Sequence, residues 1–327
     1  MKENFSDKKD AQVTVLIVAG GTDFGRAALD TRLARALWPI IDEPALDKLT
    51  ASLDRQGFED IAVCSDGLDL SLTQKLGKRE NNRFRLIEND LPTGTAGALR
   101  DAAGGTDSEL FLVIPANIMQ APSAGTLIKE HIQSGSAVSV VFNPPAAGRN
   151  GTTAPQTADV FIFNRSALEY IPPEGYFDIK ENLIPKLLAE GYSASALRLN
   201  GPLYQFRSSR DYLHKLSAFI QNTVPGDGIT LQSDNRMQKL YCGKNVRIDS
   251  SAKIYGTVVI ADNARIENGA VIIGPAVIGR SARIGPHSTV INSVLWDNAC
   301  VSADSRVQRC ILDYNAGIKH ARRVKDK

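Results

Sequence analysis

Cysteine, net charge and long apolar runs are all scarce in this chain of 327 residues. The four cysteines (Cys64, Cys242, Cys300 and Cys310) form no CxxC pair, so the sequence favours neither a zinc site nor a disulfide framework. The formal charge of +2 indicates no nucleic acid partner. No apolar run approaches the roughly 20 residues that cross a bilayer, and the polar start MKENFSDKKD is unlike a signal peptide. We therefore expect free thiols, a cytoplasmic location and no membrane association.

Apolar residues make up 43% of the chain, and in its first half they alternate between strand-like and helix-like patterns. Apolar runs bounded by glycine, proline or polar residues predict strands, and amphipathic stretches predict the helices between them. The predicted strands cover 12–20, 60–64, 84–88, 110–114, 136–142, 158–163 and 193–200, and the predicted helices cover 44–57, 68–77, 95–103, 123–134, 179–190 and 208–221. This order predicts a doubly wound, mostly parallel α/β sheet.

The second half repeats every six residues. Eight aliphatic residues follow one another at this spacing: Ile248, Ile254, Ile260, Ile266, Ile272, Ile278, Ile284 and Val290. A small residue precedes most of them by two positions. The pattern predicts a parallel β-helix of hexapeptide repeats, which we expect to be left-handed, with the aliphatic side chains pointing inward. The count slips after Val290, but Val301, Val307 and Ile318 continue it.

These patterns divide the chain into five segments. We predict a disordered tail over 1–11, the α/β domain over 12–222, a linker rich in glycine, proline and polar residues over 223–244, the β-helix over 245–318, and a basic tail over 319–327.

Four stretches carry a family resemblance: PTGTAGALRDA (92–102), FDIKENLIPKLLAEG (177–191), RSSRDYL (207–213) and SVLWDNACVSADSRV (293–307). Together with the domain order, they resemble the sugar nucleotidyltransferases, or NDP-sugar pyrophosphorylases, including the mannose-1-phosphate guanylyltransferase and glucose-1-phosphate adenylyltransferase branches. The resemblance covers residues 12–318. It implies a Rossmann-type nucleotidyltransferase domain that joins a nucleoside triphosphate to a sugar 1-phosphate with Mg²⁺ and releases pyrophosphate.

The same resemblance implies where a nucleotide would bind. The family's glycine-rich opening corresponds to Gly20 and Gly21, and its GTR becomes Asp23, Phe24 and Gly25, with Arg26 as the neighbouring cation. The loop that holds the base corresponds to four small residues, which would let a flat ring lie against the backbone: Gly94, Thr95, Ala96 and Gly97.

The catalytic positions of the family are changed in this sequence. Arg35 and Glu43 stand where the family has lysines. Asn117 follows the predicted strand 110–114, at the end of a strand where ligands bind, and stands where the family has a metal-binding aspartate. The second such aspartate corresponds to Gln205. Because Mg²⁺ prefers carboxylates, these two amides predict a weak metal site or none, and no residue is assigned as a metal ligand.

The sugar-binding part of the family is also altered. The loop-like segment NPPAAGRNGTTAPQ (143–156) replaces a hairpin that ends in F-x-EKP, and the family's NAG becomes Thr157, Ala158 and Asp159. Arg149 is the only cation of that segment.

Three functions stay open at this point. The first is a homologue with lost or weak catalysis that binds a nucleotide or sugar nucleotide, or regulates a related pyrophosphorylase subunit. The second is an active nucleotidyltransferase whose rearranged site uses Asp23 or Asp66 to hold Mg²⁺. The third is a hexapeptide acyltransferase with His287 as its base, although His287 fits a solvated corner of a coil better. In each case, we expect a homo-oligomer or a complex with a related subunit, because stacked coils offer flat faces for assembly.

Overall fold

The computed structural model describes residues 12–19, 33–65, 84–88, 93–144, 156–223, 229–235, 238–318 and 323–325. The chain forms two compact units. The first takes most of the chain up to Gln205, and the second takes Phe206–Lys327 together with the segment Pro39–Pro44. The domain limits that the sequence predicts, with a boundary after residue 222, stay predictions.

One seven-stranded sheet forms the centre of the first unit. Its strands are β1 (Val13–Val18), β2 (Asp60–Ser65), β3 (Arg85–Glu88), β4 (Leu110–Pro115), β5 (Val138–Phe142), β6 (Thr157–Asn164) and β7 (Ala194–Arg198), in the spatial order β3-β2-β1-β4-β6-β5-β7. All six residues of β4 are buried, as expected of an uninterrupted apolar strand covered on both faces. The predicted, mostly parallel α/β sheet is confirmed.

Strand β6 is the exception to the parallel order. It pairs antiparallel with both β4 and β5, whereas the sequence pattern suggested another repeat of the β-α-β alternation. The backbone N–H of Asn143 donates to the carbonyl oxygen of Gln156 at 2.9 Å, so β5 ends beside the start of β6. Neighbouring strands that meet in this way form a hairpin, and a hairpin is antiparallel.

Helices connect several of the strands. They are α1 (Ala45–Arg55), α2 (Gly94–Ala103), α3 (Ala124–Ser134) and α4 (Ile184–Ala189), and a π-helical turn over Ile179–Leu183 leads into α4. Two 3₁₀ turns cover Arg35–Leu37 and Arg165–Tyr170. Helix α3 ends at Gly135, whose φ of +63° is the left-handed conformation that terminates many helices. The helix predicted over 68–77 lies outside the described residues.

The second unit contains the coils. Its parallel strands lie on three sides. The first side consists of five strands: Arg247–Ile248, Arg265–Ile266, Arg283–Ile284, Cys300–Val301 and Gly317–Ile318. The second side consists of Val271–Ile273, Thr289–Ile291, Arg306–Gln308 and Arg323–Lys325, and the third of Gln238–Cys242, Ala276–Ile278, Val294–Leu295 and Ile311–Leu312. The long strand Lys253–Ile260 belongs to both the second and the third side. Thr230–Asn235 pairs antiparallel with Gln238–Cys242. Ile260, Ile266 and Ile272 are buried, so the predicted parallel β-helix is confirmed, while its hand stays a prediction.

The coil length explains where the six-residue count slips. Ile248 pairs with Ile266 and Ile266 with Ile284, whereas Ile284 pairs with Val301 and Val301 with Ile318. The step between paired neighbours is therefore 18 residues up to Ile284 and 17 residues after it. One corner of every coil carries a residue with positive φ: Asn245, Asn263, Ser281, Asn298 and Asn315. Asparagine suits this corner because it tolerates the left-handed conformation better than most side chains.

Ile248 shares the register of the inward-pointing series but is not buried. Its side chain is 37% exposed, whereas its neighbour Ile266 in the next coil is 2% exposed. Ile248 belongs to the first strand of its side, which has a paired strand on one edge only. Ile248 is thus partly exposed because it lies at the end of the stack, where one neighbouring coil is missing.

Helix α5 (Ser209–Asn222) also belongs to the second unit and covers one outer side of the coils. It contacts the strand Lys253–Ile260, and outward-facing Val259 and Val277 are buried together with Trp296. A short hairpin of Pro39–Ile40 and Glu43–Pro44 completes the unit. None of the helices that the structure describes is long and apolar enough to span a membrane.

Candidate functional site

Asn117 lies directly after β4, at the end of the first unit's sheet. The backbone N–H of Ala116 donates to the carbonyl oxygen of Val18 at 2.9 Å, and that of Met119 donates to Leu203 at 3.0 Å. Half-buried Asn117 is therefore fixed between the end of β1 and the segment that leads to Gln205. This is the ligand-binding end of a parallel sheet. A role for Asn117 in binding stays a prediction.

Gln205 contacts a carboxylate that sequence analysis did not assign to the site. Its Nε2 donates a 2.9 Å hydrogen bond to Oδ2 of Asp159. The other carboxylate oxygen, Oδ1, accepts from Nζ of Lys180 and, at 3.4 Å, from the hydroxyl of Thr157. Both oxygens of Asp159 are thus engaged by donors from three different segments.

Asp159 has an unusual backbone conformation. Its φ is +55°, and it lies where the pairing of β5 with β6 shifts register between Val141 and Phe142. Positive φ is unfavourable for a side chain with a Cβ, although aspartate tolerates it better than most. The clue in the sequence was that Asp159 stands at the glycine of the family's NAG, but nothing in the sequence placed it beside Gln205.

Lys180 is held in place by a cap at the start of its turn. Oδ1 of Asp178 accepts hydrogen bonds from the backbone N–H groups of Lys180 and Glu181, at 2.7 and 3.1 Å. Such a cap satisfies donors that would otherwise lack partners at the start of a helical segment. Asp178 therefore fixes the backbone from which Lys180 reaches Asp159.

The predicted base loop is joined to the same turn. The hydroxyl of Thr95 donates to Oδ2 of Asp178 at 2.8 Å and accepts from the backbone N–H of Ile179 at 2.9 Å. The backbone N–H groups of Ala96 and Gly97 donate to the carbonyl oxygen of Phe177, at 3.0 and 3.3 Å. These two N–H groups start α2 and are already satisfied, so they would not serve as phosphate donors without rearrangement.

Gly94 permits this close approach. Its φ is +76°, and a Cβ at this position would lie 2.5 Å from the carbonyl oxygen of Phe177. A substituted residue would therefore both strain the backbone and push the Phe177 segment away. The loop Gly94–Gly97 and the turn at 177–180 form one packed arrangement.

The structure describes only some of the other predicted site residues. Arg35 lies in the 3₁₀ turn Arg35–Leu37 of the first unit and is half-buried. Gly20, Gly21 and Arg26 lie outside the described residues, as do the alternative ligands Asp23 and Asp66. The structure therefore brings together Gln205, Asp159 and Lys180, with Asn117 and the 94–97 loop on adjoining segments.

The described residues do not fit a Mg²⁺ site of the family's kind. Asn117 and Gln205 offer amides, and the carboxylate of Asp159 is engaged by an ammonium group and an amide. Within the described ranges, no group of three or more histidine, cysteine, aspartate or glutamate side chains could hold a metal ion. Mg²⁺ is normally held by carboxylates together with substrate phosphates.

His287 lies at an exposed corner of the coils, with a φ of +54°. Asp304 has the same φ of +54° at the equivalent corner of the next coil, and Gly269 has +64° in the preceding coil. The same corner thus has a positive φ in three successive coils. The Nε2 of His287 lies 3.5 Å from Nδ2 of Asn268. The geometry agrees with the predicted turn role of His287.

Comparisons with known proteins follow the division into two units. Residues 14–151 match the family model described as "Nucleotidyl transferase", and residues 241–274 and 257–292 match "Bacterial transferase hexapeptide (six repeats)". A search of curated proteins found no match.

Among solved structures, HddC from Yersinia pseudotuberculosis is similar to this chain, with a TM-score of 0.50 and 18% sequence identity. The alignment covers 63% of this chain and 98% of that one. At this identity, the likeness shows the fold alone, which many solved structures share. The two family models thus place a nucleotidyl transferase segment before hexapeptide repeats, which is the domain order of the sugar nucleotidyltransferases that the sequence resembles.

Proposed function

We propose that this chain is a sugar nucleotidyltransferase homologue with lost or weak catalysis, which binds a nucleotide or sugar nucleotide or serves as a regulatory subunit. One observation carries the proposal: Gln205, at the position of a metal-binding aspartate in the family, is an amide that donates to Asp159. An amide that donates its N–H to a carboxylate brings no negative charge to a metal. Weak neutralisation of phosphate charge would then slow nucleotidyl transfer, since this chemistry depends on electrostatic stabilisation.

The intact base loop supports retention of ligand binding. Gly94–Gly97 keep the small side chains that let a base lie against the backbone, and the loop is fixed to the turn at 177–180 by four hydrogen bonds from or to Thr95, Ala96 and Gly97. Gly20, Gly21 and Arg26 would complete the phosphate side of the site by resemblance. We therefore propose that binding is directed mainly by the base, and that Mg²⁺ adds little to it.

Calorimetry with a panel of nucleoside triphosphates and NDP-sugars, with and without Mg²⁺, tests this function. We expect at least one of them to bind, with an affinity that Mg²⁺ changes by less than about twofold. A parallel assay should detect little or no pyrophosphate release with sugar 1-phosphates. Rapid, Mg²⁺-dependent release would instead support the active enzyme with a rearranged site, in which Asp23 or Asp66 holds the metal. Absence of binding by every compound would contradict the binding role.

We also propose assembly through the coils, as a homo-oligomer or with a related pyrophosphorylase subunit. Tyr255 and Ile273 are paired neighbours on one outer side, and their side chains are 52% and 37% exposed. Exposed apolar residues in adjacent strands favour contact with a second protein. Light scattering should detect an oligomer at tens of micromolar, roughly the range of weak association. A monomer that also retains no related subunit in pull-downs would contradict assembly.

A cytoplasmic location remains part of the proposal. The four cysteines Cys64, Cys242, Cys300 and Cys310 are free thiols, as is usual in a reducing compartment.

A further inference from the structure

The ion pair between Asp159 and Lys180 places a positive charge at the sheet end where the family has its metal. Nζ of Lys180 donates to Oδ1 of Asp159, whose Oδ2 accepts from Gln205. The side chain of Asp159 is 18% exposed and that of Lys180 is 46% exposed. The carboxylate is therefore sheltered, whereas the ammonium group is accessible to a ligand.

This arrangement is maintained against a backbone cost. Asp159 has a φ of +55° in a strand that shifts register at this point. Residues in such conformations persist where surrounding contacts determine them, and they are concentrated at functional sites. Here those contacts come from Thr157, Lys180 and Gln205, so the strained residue is the acceptor on which all three donors converge.

The charges explain why a divalent cation would be unfavourable here. The ion pair sums to zero, and the amides of Asn117 and Gln205 add no negative charge. A cation that approached Asp159 would have to displace the ammonium group of Lys180, and it would be repelled by that group at short range. The same ammonium group retains N–H donors beyond the one used by Asp159.

We propose that Lys180, held by Asp159, is a protein-borne cation that takes the place of the divalent ion in this site and excludes it. The phosphate of a bound nucleotide or sugar nucleotide would then meet an ammonium group rather than a metal. The contact between Lys180 and the phosphate rests on the proposed function, whereas the exclusion of the metal does not require any nucleotide to bind.

Metal binding by variants with a second carboxylate tests the exclusion. Gln205→Asp supplies the carboxylate that the family has at this position. The affinity for Mn²⁺ is measured by titration, in which binding reduces the paramagnetic resonance signal of the free ion. Gln205→Asp alone is compared with Gln205→Asp/Lys180→Met. We expect the double variant to bind Mn²⁺ at least about tenfold more tightly, because removal of Lys180 frees Asp159 and removes the repulsion.

Lys186 provides the matched control. It follows Lys180 on the same helical segment, and its Nζ donates to the carbonyl oxygen of Tyr170 rather than to a carboxylate. Gln205→Asp/Lys186→Met has the same formal charge as Gln205→Asp/Lys180→Met and should bind Mn²⁺ about as weakly as Gln205→Asp alone. If both double variants gain equally, only the net charge matters and the proposal is overturned.

Two further variants serve as controls. Lys180→Gln replaces Lys180→Met if the latter fails to fold, as judged by its thermal melt. Asp159→Asn in the otherwise unmodified chain should leave Mn²⁺ binding unchanged. The proposal is overturned if the unmodified protein binds Mn²⁺ tightly and Asp159→Asn abolishes that binding. It is also overturned if Gln205→Asp and Gln205→Asp/Lys180→Met bind Mn²⁺ with equal affinity. Neither result depends on transfer activity, so this proposal and the proposed function fail separately.

Discussion

The hydroxyl of Tyr212 donates a 2.6 Å hydrogen bond to the carbonyl oxygen of Pro39, 173 residues earlier in the chain. The same hydroxyl accepts from Nε1 of Trp296 at 3.3 Å, and the two rings meet edge to face. Tyr212 is fully buried, and burial raises the pKa of its phenol well above the usual range. The phenol is thus neutral and links helix α5, the hairpin and the coils of the second unit.

Tyr212→Phe should therefore destabilise the second unit. The substitution keeps the ring but removes the hydrogen bonds of the hydroxyl with the carbonyl oxygen of Pro39 and with the indole N–H of Trp296. We expect a loss of about 1–3 kcal/mol in the free energy of unfolding, measured with urea, since buried polar groups that lose partners carry this cost. Tyr255→Phe is the control, because Tyr255 is 52% exposed and should change stability by less than about 0.5 kcal/mol. Equal effects of the two substitutions would contradict this account.

Ile266→Ala tests the packing of the coils. Ile266 is 2% exposed and lies between Ile248 and Ile284 of the neighbouring coils. We expect a loss of about 2–5 kcal/mol from the lost burial and the cavity left behind. Ile248→Ala should cost clearly less in the same denaturation experiment, because Ile248 is already 37% exposed. A loss below about 0.5 kcal/mol for Ile266→Ala would mean that the register is wrong.

The two units differ in how much of their structure could be predicted from sequence. The coils are built from local repeats, so the six-residue spacing alone identified Ile260, Ile266 and Ile272 as core residues. The exposure of Ile248 follows from the stack as a whole, because the first coil lacks a neighbour on one side. In the α/β sheet, apolar patterns located the strands but not the direction of β6, because direction depends on which strand lies beside it.

The site was less predictable because its contacts join distant segments. The resemblance alone predicted that Asn117 and Gln205 correspond to the family's metal-binding aspartates. Asp159 and Gln205 are 46 residues apart, and no local pattern predicts their hydrogen bond. Lys180 belongs to the stretch 177–191, which carries the family resemblance but no predicted site residue, and its contact with Asp159 depends on the cap at Asp178.

Gly94→Ala tests the link between the base loop and the turn at 177. An alanine Cβ would lie 2.5 Å from the carbonyl oxygen of Phe177 at a φ of +76°. Gly135→Ala is the control, since Gly135 has a similar φ of +63° but no atom within 4 Å of its Cβ position. The control should lose about 1–2 kcal/mol from backbone strain alone, and Gly94→Ala should lose at least about 1 kcal/mol more from overpacking. Equal losses in urea denaturation would show that the approach of Phe177 is unimportant.

His131 predicts a dependence of stability on pH. It is buried, with Nδ1 2.7 Å from the hydroxyl of Ser139 and Nε2 3.0 Å from Oδ1 of Asn164. Burial lowers its pKa below the ordinary value of 6.5, although the hydrogen bond with Asn164 opposes this. The unfolded chain therefore binds a proton more readily than the folded one. The stabilisation is complete above pH 6.5 and declines as the pH falls below that value.

Denaturation of the unmodified protein and of His131→Gln at pH 7.5 and 5.0, roughly one unit above and one and a half units below the ordinary histidine pKa, measures this effect. The unmodified protein should lose more stability between the two pH values than the variant does, because glutamine does not titrate. His287→Gln is the matched control for the loss of one histidine, since His287 is exposed on the coils. Identical pH dependence in the unmodified protein and His131→Gln would rule out this histidine as the source.

The changed metal positions lead to the last prediction, in which both carboxylates are restored as Asn117→Asp/Gln205→Asp. Two added charges at the sheet end should draw Mg²⁺ toward the ligand's phosphates. We therefore expect Mg²⁺ to raise nucleotide affinity about tenfold in this variant, or about 1.4 kcal/mol, against less than about twofold in the unmodified protein. The gain should increase further when Lys180→Met is added, since the ammonium group no longer competes for Asp159.

We expect little or no nucleotidyl transfer by any of these variants. Arg35, Asp23 and the 143–156 segment would still differ from the family, so neither the phosphate loop nor the sugar-binding hairpin would be rebuilt. Calorimetry with and without Mg²⁺ measures the change in affinity, and pyrophosphate release measures turnover. Gln133→Asp, an added charge at an exposed position of α3, controls for general electrostatic attraction. If it raises the Mg²⁺ dependence as much as the two restored aspartates, then Asn117 and Gln205 do not occupy the metal positions, and the explanation offered for the proposed loss of catalysis is wrong.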